Sequence, residues 1–320
     1  MPVLNRCRGG FFAVWVALCS GAAMIWAQER NTTLRVYLQN GSKSDLVASV
    51  SADDLRMFDG RAELKVTRVA RAPVALDTWV LVNRSPRIRE ALVDSSLFQK
   101  GLLGTVRQGD RVHFGGVCAE HSAAVVPDSV EFAEAVRAAL TGPYRREPVT
   151  ECLFRFAEQI PGTDFTRRTH LILIADDDYS SPSGALETAK KLALRGLSVS
   201  VIHIVEPRKR GRRAGWLDLP PTPPPQAPVP TAVPPPVYPD RNIFDAIPEY
   251  TGGDLERMRR LQPIDRVVEV VERFRDAYTV CFEPSLTGPP QERYLSFTLS
   301  ERGVRNHPSL SFRFARVAYW

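Results

Sequence analysis

The chain has 320 residues and 44% hydrophobic content, enough for one large core or two modest ones and too much for disorder throughout. Its formal charge of +6 overstates its basicity: Arg6 and Arg8 sit in an amino-terminal leader and Arg208, Lys209, Arg210, Arg212 and Arg213 crowd into one short run, so the remaining body is near neutral. That distribution argues against a nucleic-acid-binding face, which needs cations spread over an ordered surface.

In the first thirty residues, Arg6 and Arg8 precede an apolar run from Phe11 to Ala27, and charge returns at Glu29 and Arg30. This is the layout of a secretory signal, expected over residues 1–27, with Ile25-Trp26-Ala27 or Gly21-Ala22-Ala23 as the cleavage region. The alternative is an uncleaved anchor, for which the run is slightly short. Cys19 follows Leu18 rather than a small residue, which speaks against lipid attachment there. Export would permit a disulfide, and Cys118–Cys152 is the pairing to test. The spacing of Cys118, Cys152 and Cys281 fits no zinc motif, and the favoured expectation is three separate buried apolar residues.

Three short strands are expected next, at Leu34 to Leu38, Leu55 to Phe58 and Glu63 to Arg68, with turns at Asn40-Gly41 and Asp59-Gly60. From Thr78 the pattern becomes apolar strands alternating with amphipathic helices. The strands are Trp79 to Val82, Arg111 to Val117, Leu171 to Ile174 and Val199 to Val205. The helices run from Ile88 to Leu97, through Phe132 to Leu140, from Cys152 to Ile160 and from Leu186 to Leu194. Continuous apolar strands separated by helices predict a parallel sheet covered on both faces. Eleven prolines between Pro220 and Pro239 then deny the backbone its donors and mark an exposed insertion. Helices over Asn242 to Tyr250 and Ile264 to Ala277 flank the turn Thr251-Gly252-Gly253, and half-exposed strands close the chain at Tyr278 to Phe282, Tyr294 to Leu299 and Leu310 to Ala315.

Several of these segments together resemble the von Willebrand factor type A-related domain of bacterial exported proteins, particularly the acidobacterial type. The likeness rests on Val50-Ser51-Ala52-Asp53-Asp54-Leu55-Arg56-Met57-Phe58-Asp59-Gly60, Leu81-Val82-Asn83-Arg84-Ser85-Pro86-Arg87, Ile172-Leu173-Ile174-Ala175-Asp176-Asp177, Thr251-Gly252-Gly253, Tyr278-Thr279-Val280 with Pro284-Ser285, and Arg316-Val317-Ala318-Tyr319, in that order. It implies an α/β fold: a doubly wound, mostly parallel, Rossmann-like sheet, with flanking antiparallel β segments forming a small side domain. The divisions expected are a signal at 1–27, a β segment at 28–75, the α/β domain at 76–277 with a basic and proline-rich insertion at 207–240, and a β segment at 278–320 pairing with 28–75.

Type A domains hold a divalent ion with an Asp-x-Ser-x-Ser loop, a threonine and an aspartate, hard oxygen ligands suited to Mg or Mn. Mapped here, the loop has Asn83 for the aspartate, Ser85 for the first serine and Arg87 for the second; Thr150 and Asp176 supply the other positions. A guanidinium at Arg87 repels a divalent ion and can pair with Asp176. The site is therefore expected to be degenerate, with no cofactor, Ser85, Thr150 and Asp176 offering at most a weak hold on Mg or Mn. Arg87 could bind a partner's carboxylate directly, or only Asp176.

No phosphate loop, His-Glu-x-x-His helix or nucleophile elbow is present, and His113, His121, His170, His203 and His307 are scattered. The expectation is no enzyme but an exported, secreted or periplasmic, protein-binding module. Its partner would be a protein, with no nucleic acid and a membrane only through an uncleaved signal. The competing class is an envelope assembly component acting through its proline-rich segment.

Overall fold

The computed structural model describes residues 32–40, 49–71, 75–92, 95–119, 130–144, 147–160, 167–176, 182–205, 243–258, 263–284 and 291–319. The signal segment 1–27, the insertion 207–240 and Asp177 to Tyr179 lie outside the described residues.

The chain opens with β1 (Thr32–Asn40), a 3-10 turn (Ala52–Asp54), β2 (Leu55–Asp59), β3 (Ala62–Leu64) and β4 (Val66–Ala70). The middle holds β5 (Ala75–Val82), α1 (Pro86–Ala91), α2 (Ser95–Thr105), β6 (Arg111–Gly116), α3 (Val130–Thr141), α4 (Val149–Gln159), β7 (Arg167–Ala175), α5 (Pro182–Leu194) and β8 (Ser198–Ile204). After it come α6 (Ile243–Thr251), β9 (Leu255–Met258), α7 (Pro263–Arg275), β10 (Tyr278–Phe282), β11 (Glu292–Leu299), α8 (Glu301–Asn306), β12 (Leu310–Phe314) and β13 (Val317–Tyr319).

The central sheet has the order β6-β5-β7-β8-β9, every neighbouring pair parallel. Its inner strands are apolar on both sides because both sides are cores. Ile172 and Ile174 of β7 face one core with Val80, Val82 and Ile202, packed by α1, α2, α3 and α7. Leu171, Leu173 and Ala175 face the other with Leu81 and Val201, packed by α4, α5 and α6. This is the doubly wound arrangement expected from the continuous apolar runs. Side chains of successive residues alternate between the faces, so each inner strand serves both cores.

The flanking strands form two four-stranded antiparallel sheets, β12-β1-β10-β4 and β13-β11-β2-β3. β1 pairs with β10 and β12, and β2 with β11, so residues from both ends of the chain build one side unit. The sheets share a core in which Leu55, Met57 and Phe297 meet Val280 and Phe282, with Phe314 edge-on to Phe297 at 4.7 Å.

Local structure departs from expectation at several points. The single strand expected over Glu63 to Arg68 is two, divided at Lys65: β3 stays with β2, while β4 crosses to β10. The helix expected from Ile88 to Leu97 is likewise two, α1 and α2. β9 was not expected, since Leu255-Glu256-Arg257-Met258 carries two charges; it is an edge strand whose charged side chains find partners, Glu256 with Arg273 and Arg257 with Asp245.

At the amino-terminal edge of the sheet, Arg168 of β7 is fully buried and donates to the carbonyls of Phe274 and Arg275 at 3.3 and 3.2 Å. Arg275 in turn pairs with buried Asp110 at 2.7 Å. Two residues along, His170 stacks on Phe274 with ring centroids 4.1 Å apart and bonds Ser200 Oγ at 2.9 Å. Burial, with Arg273 nearby, pushes the His170 imidazole down to about 3.

Candidate functional site at the carboxyl ends of the strands

With β5 first in sequence and flanked by β6 and β7, the sheet reverses its winding between β5 and β7. The carboxyl ends of these two strands open the crevice where doubly wound sheets hold ligands. Asn83, just past β5, is held by its own N–H on Ile174 O at 2.8 Å. Ser85 is the N-cap of α1, with Pro86 at the first helical position, where a missing N–H costs nothing. Asp176 immediately follows β7. The register Val82↔Ile174 sets Asn83 level with Ala175, so Asp176 lies one residue beyond it at the paired strand exits.

The aspartate carboxylate is bonded by two side chains and faced by a third. Asn83 Nδ2 donates to Oδ1 at 3.3 Å, Ser85 Oγ donates to Oδ2 at 2.6 Å, and Arg87 Nη1 lies 3.9 Å from Oδ2. Asn83, Ser85 and Asp176 are 6%, 5% and 4% exposed, whereas the Arg87 side chain is 29% exposed. Ser85 also accepts from Ile88 N at 3.2 Å, which commits its proton and one of its two lone pairs. Thr150, the second residue of α4, is buried, and its carbonyl accepts from Thr188 Oγ1 at 3.4 Å. The sequence-mapped Asn83, Ser85, Arg87 and Asp176 thus converge on one carboxylate, and Thr150 stands at the start of a helix on the same end of the sheet.

The residues do not fit a divalent ion. Such an ion needs oxygen lone pairs, yet Asn83 turns an amide N–H and Ser85 its hydroxyl proton toward Asp176. Arg87 places a fixed positive charge beside the same oxygen, where repulsion of a second cation is worth on the order of several kcal/mol.

Two residues that sequence reasoning passed over complete the site. Arg84 donates through Nε to Ala139 O at 2.8 Å and through Nη2 to Ala138 O at 2.9 Å, setting a cation on the carboxyl end of α3. Gly116 and Gly142 make room for it: a Cβ on Gly116 would lie 2.7 Å from the Arg84 guanidinium carbon, and one on Gly142 closer still. Arg89 ties the same corner by donating to Arg84 O and Gly142 O. His203, one of the scattered histidines, donates through Nε2 to the backbone oxygen of Asp176 at 2.7 Å and so fixes the main chain at the strand exit. Nothing in the sequence marks His203; the pairing Ala175↔His203 does.

The expectation of three separate cysteines is corrected. Cys118, two residues past β6, is bonded to Cys152 in the first turn of α4, with Cα atoms 4.9 Å apart, and Cys281 is free and half-buried. The sheet order puts the β6 exit against the start of α4, which 34 residues of separation do not reveal.

No family model matches the chain, and no curated protein does. Among solved structures, it is similar to the conserved hypothetical protein BatB of Bacteroides thetaiotaomicron, at TM-score 0.40 and 13% identity over 62% of this chain and 98% of that one. It is similar to proximal thread matrix protein 1 of the mussel byssus, at TM-score 0.39 and 11% identity over 63% of this chain; the match spans 48% of that protein. The manganese-loaded TRAP protein of Plasmodium vivax matches at TM-score 0.37 and 13% identity, over 78% of this chain and 98% of that one.

Among the described residues no helix is long and apolar enough to cross a membrane.

Proposed function

We propose that the chain is an exported, non-enzymatic protein-binding module of the type A-related kind its sequence resembles, in which Arg87 at the sheet-top crevice receives an acidic group of the partner in place of a metal ion. The observation that supports this is the division of labour around Asp176. Asn83 and Ser85 bond its two oxygens at 3.3 and 2.6 Å, while the more exposed Arg87 stands off at 3.9 Å. Both Asp176 oxygens thus have nearer partners than Arg87, and an incoming carboxylate can share a guanidinium fork already positioned at the N-terminus of α1. Export rests on the signal-like segment 1–27, with a periplasmic or secreted destination, and the absence of enzyme motifs carries the non-catalytic reading.

The test is partner recovery from envelope extracts on the immobilised mature chain, followed by crosslinking and mass spectrometry. Arg87→Gln removes a charge-assisted pair worth about 1.5–3 kcal/mol, so affinity for the recovered partner should fall roughly tenfold to a hundredfold. Removing residues 216–240 should leave it intact. Loss of recovery on that deletion, with Arg87→Gln unaffected, moves the contacts to the proline-rich segment and overturns the proposal.

A further inference from the structure

Beside the crevice, the Cys118–Cys152 bond is set up for chemistry that the binding role does not require. Cys152 is the fourth residue of α4 and 3% exposed, whereas Cys118 is half-buried and lines the surface depression it shares with Asn83, Arg84 and Tyr144. The Arg155 guanidinium, on an exposed side chain, lies 3.5 Å from Cys152 Sγ and also pairs with Glu147. Glu147 Oε2 itself lies 3.7 Å from the same sulfur, a contact and not a hydrogen bond, since a disulfide sulfur has no proton. The two cysteines are therefore unequal: one sulfur is reachable, and the other sits beside a cation at the positive end of a helix.

We propose that Cys118–Cys152 is a thiol-exchange site for small-molecule or protein thiols, with Cys118 the attacked sulfur and Cys152 the leaving one, and that its opening loosens the Thr150 side of the crevice. A thiolate attacks Cys118 Sγ, a mixed disulfide forms there, and the Cys118–Cys152 bond breaks with its electron pair on Cys152 beside Arg155. A second thiolate attacks the outer sulfur of the mixed disulfide, which oxidises the reductant to its disulfide and leaves Cys118 as a thiolate. Two electrons pass from the two reductant thiols to the protein, and the two protons those thiols lose go, through water, to the protein thiolates that take them up.

The loosening follows from how this corner is fastened beyond the core packing of Val117, Val149 and Leu153 and the bond from Thr188 Oγ1 to Thr150 O. β6 is an edge strand, and its exit is tied by Val117 N on Val82 O at 3.0 Å and Ala119 N on Gly116 O at 3.1 Å. α4 begins at Pro148, which contributes no side-chain cap bond, so the first helical turn that carries Thr150 lacks the usual fastening. The disulfide supplies a covalent one. Thiol exchange stands independently of what the crevice binds.

The folded full-length chain is treated with glutathione, quenched in acid and mapped by mass spectrometry, and separately titrated with dithiothreitol in native buffer with counting of alkylated thiols. The expected result is a glutathione adduct on Cys118, a gain of two thiols without unfolding, and faster hydrogen exchange over residues 149–153 on reduction. Arg155→Gln removes the cation and should slow reduction roughly threefold, about the change that one pKa unit on a thiol brings to exchange, while Glu147→Gln should speed it. Arg155 is exposed and Glu147 only half-buried, so neither variant removes a core side chain. Reduction only on unfolding, an adduct on Cys152, equal rates in the two variants, or unchanged exchange over 149–153 would each overturn the proposal.

Discussion

Restoring a metal site is the sharpest check on the crevice geometry. In an Asn83→Asp, Arg87→Ser double replacement, a carboxylate takes the place of an amide that stands 3.3 Å from Asp176, and the cation 3.9 Å from Asp176 is gone. Without a metal, the two carboxylates repel each other by up to several kcal/mol in this buried setting, so the variant should melt below the parent. With magnesium, the introduced carboxylate and hydroxyl join Ser85 and Asp176 in a hard oxygen set. A dissociation constant of about 1 mM at 10 mM magnesium stabilises the folded state by roughly 1.4 kcal/mol. For a domain of this size that corresponds to a melting shift of about 3–6 °C. The assay is a thermal melt followed by circular dichroism, with and without magnesium, on the parent, each single replacement and the pair. The parent and Arg87→Ser should show no shift. Superimposable melts of a folded double variant with and without magnesium would mean that positions 83, 85, 87 and 176 do not converge as described.

Two further outcomes follow from the packing. His170 is held near 3 in the folded state against an ordinary 6.5, so the unfolded chain binds the extra proton between those values. The stability it confers is complete above about pH 6.5 and falls by up to ~1.4 kcal/mol per pH unit as pH drops toward 3; urea unfolding at pH 7 and pH 5 should show a shallower loss in His170→Gln, and equal losses would refute the linkage. Gly142→Ala drives a Cβ into the Arg84 guanidinium and should cost about 1–3 kcal/mol in urea unfolding. The cost should largely vanish in an Arg84→Ala background, and an undiminished cost there would show that the strain lies elsewhere.

How much was legible in the sequence follows from how local each cause is. The inner strands could be read because burial on two faces writes itself into consecutive apolar residues, as in Leu171 to Ile174. β9 could not, because its membership depends on Glu256 and Arg257 meeting Arg273 and Asp245, residues 12 or more positions away. The switch at Lys65 was equally hidden: Ala62 to Ala70 is strand-like almost throughout, and only the choice of partner, β2 or β10, divides it. At the site, Asn83, Ser85, Arg87 and Asp176 were found because the order of motifs along the chain placed them. His203 and Arg84 were not, because each acts across strand register or sheet order, and Cys118–Cys152, though named as the pairing to test, is not favoured over three separate cysteines for the same reason.

The crevice residues carry unequal structural duties, and that inequality bears on how the site works. Ser85 has two roles, capping α1 through Ile88 N and bonding Asp176, so its hydroxyl is needed by the fold whether or not any ligand is present. Asn83 holds the strand exit through its backbone N–H, a bond indifferent to its side chain. Arg87, in the first turn of α1, has neither duty: its ion-pair distance is the longest at the site and its side chain the most exposed. The three positions can thus be exchanged at different cost, Ser85 being the one whose side chain the helix start itself needs. Under the proposed function, the guanidinium of Arg87 supplies the positive charge that a bridging cation would otherwise bring to the partner's carboxylate.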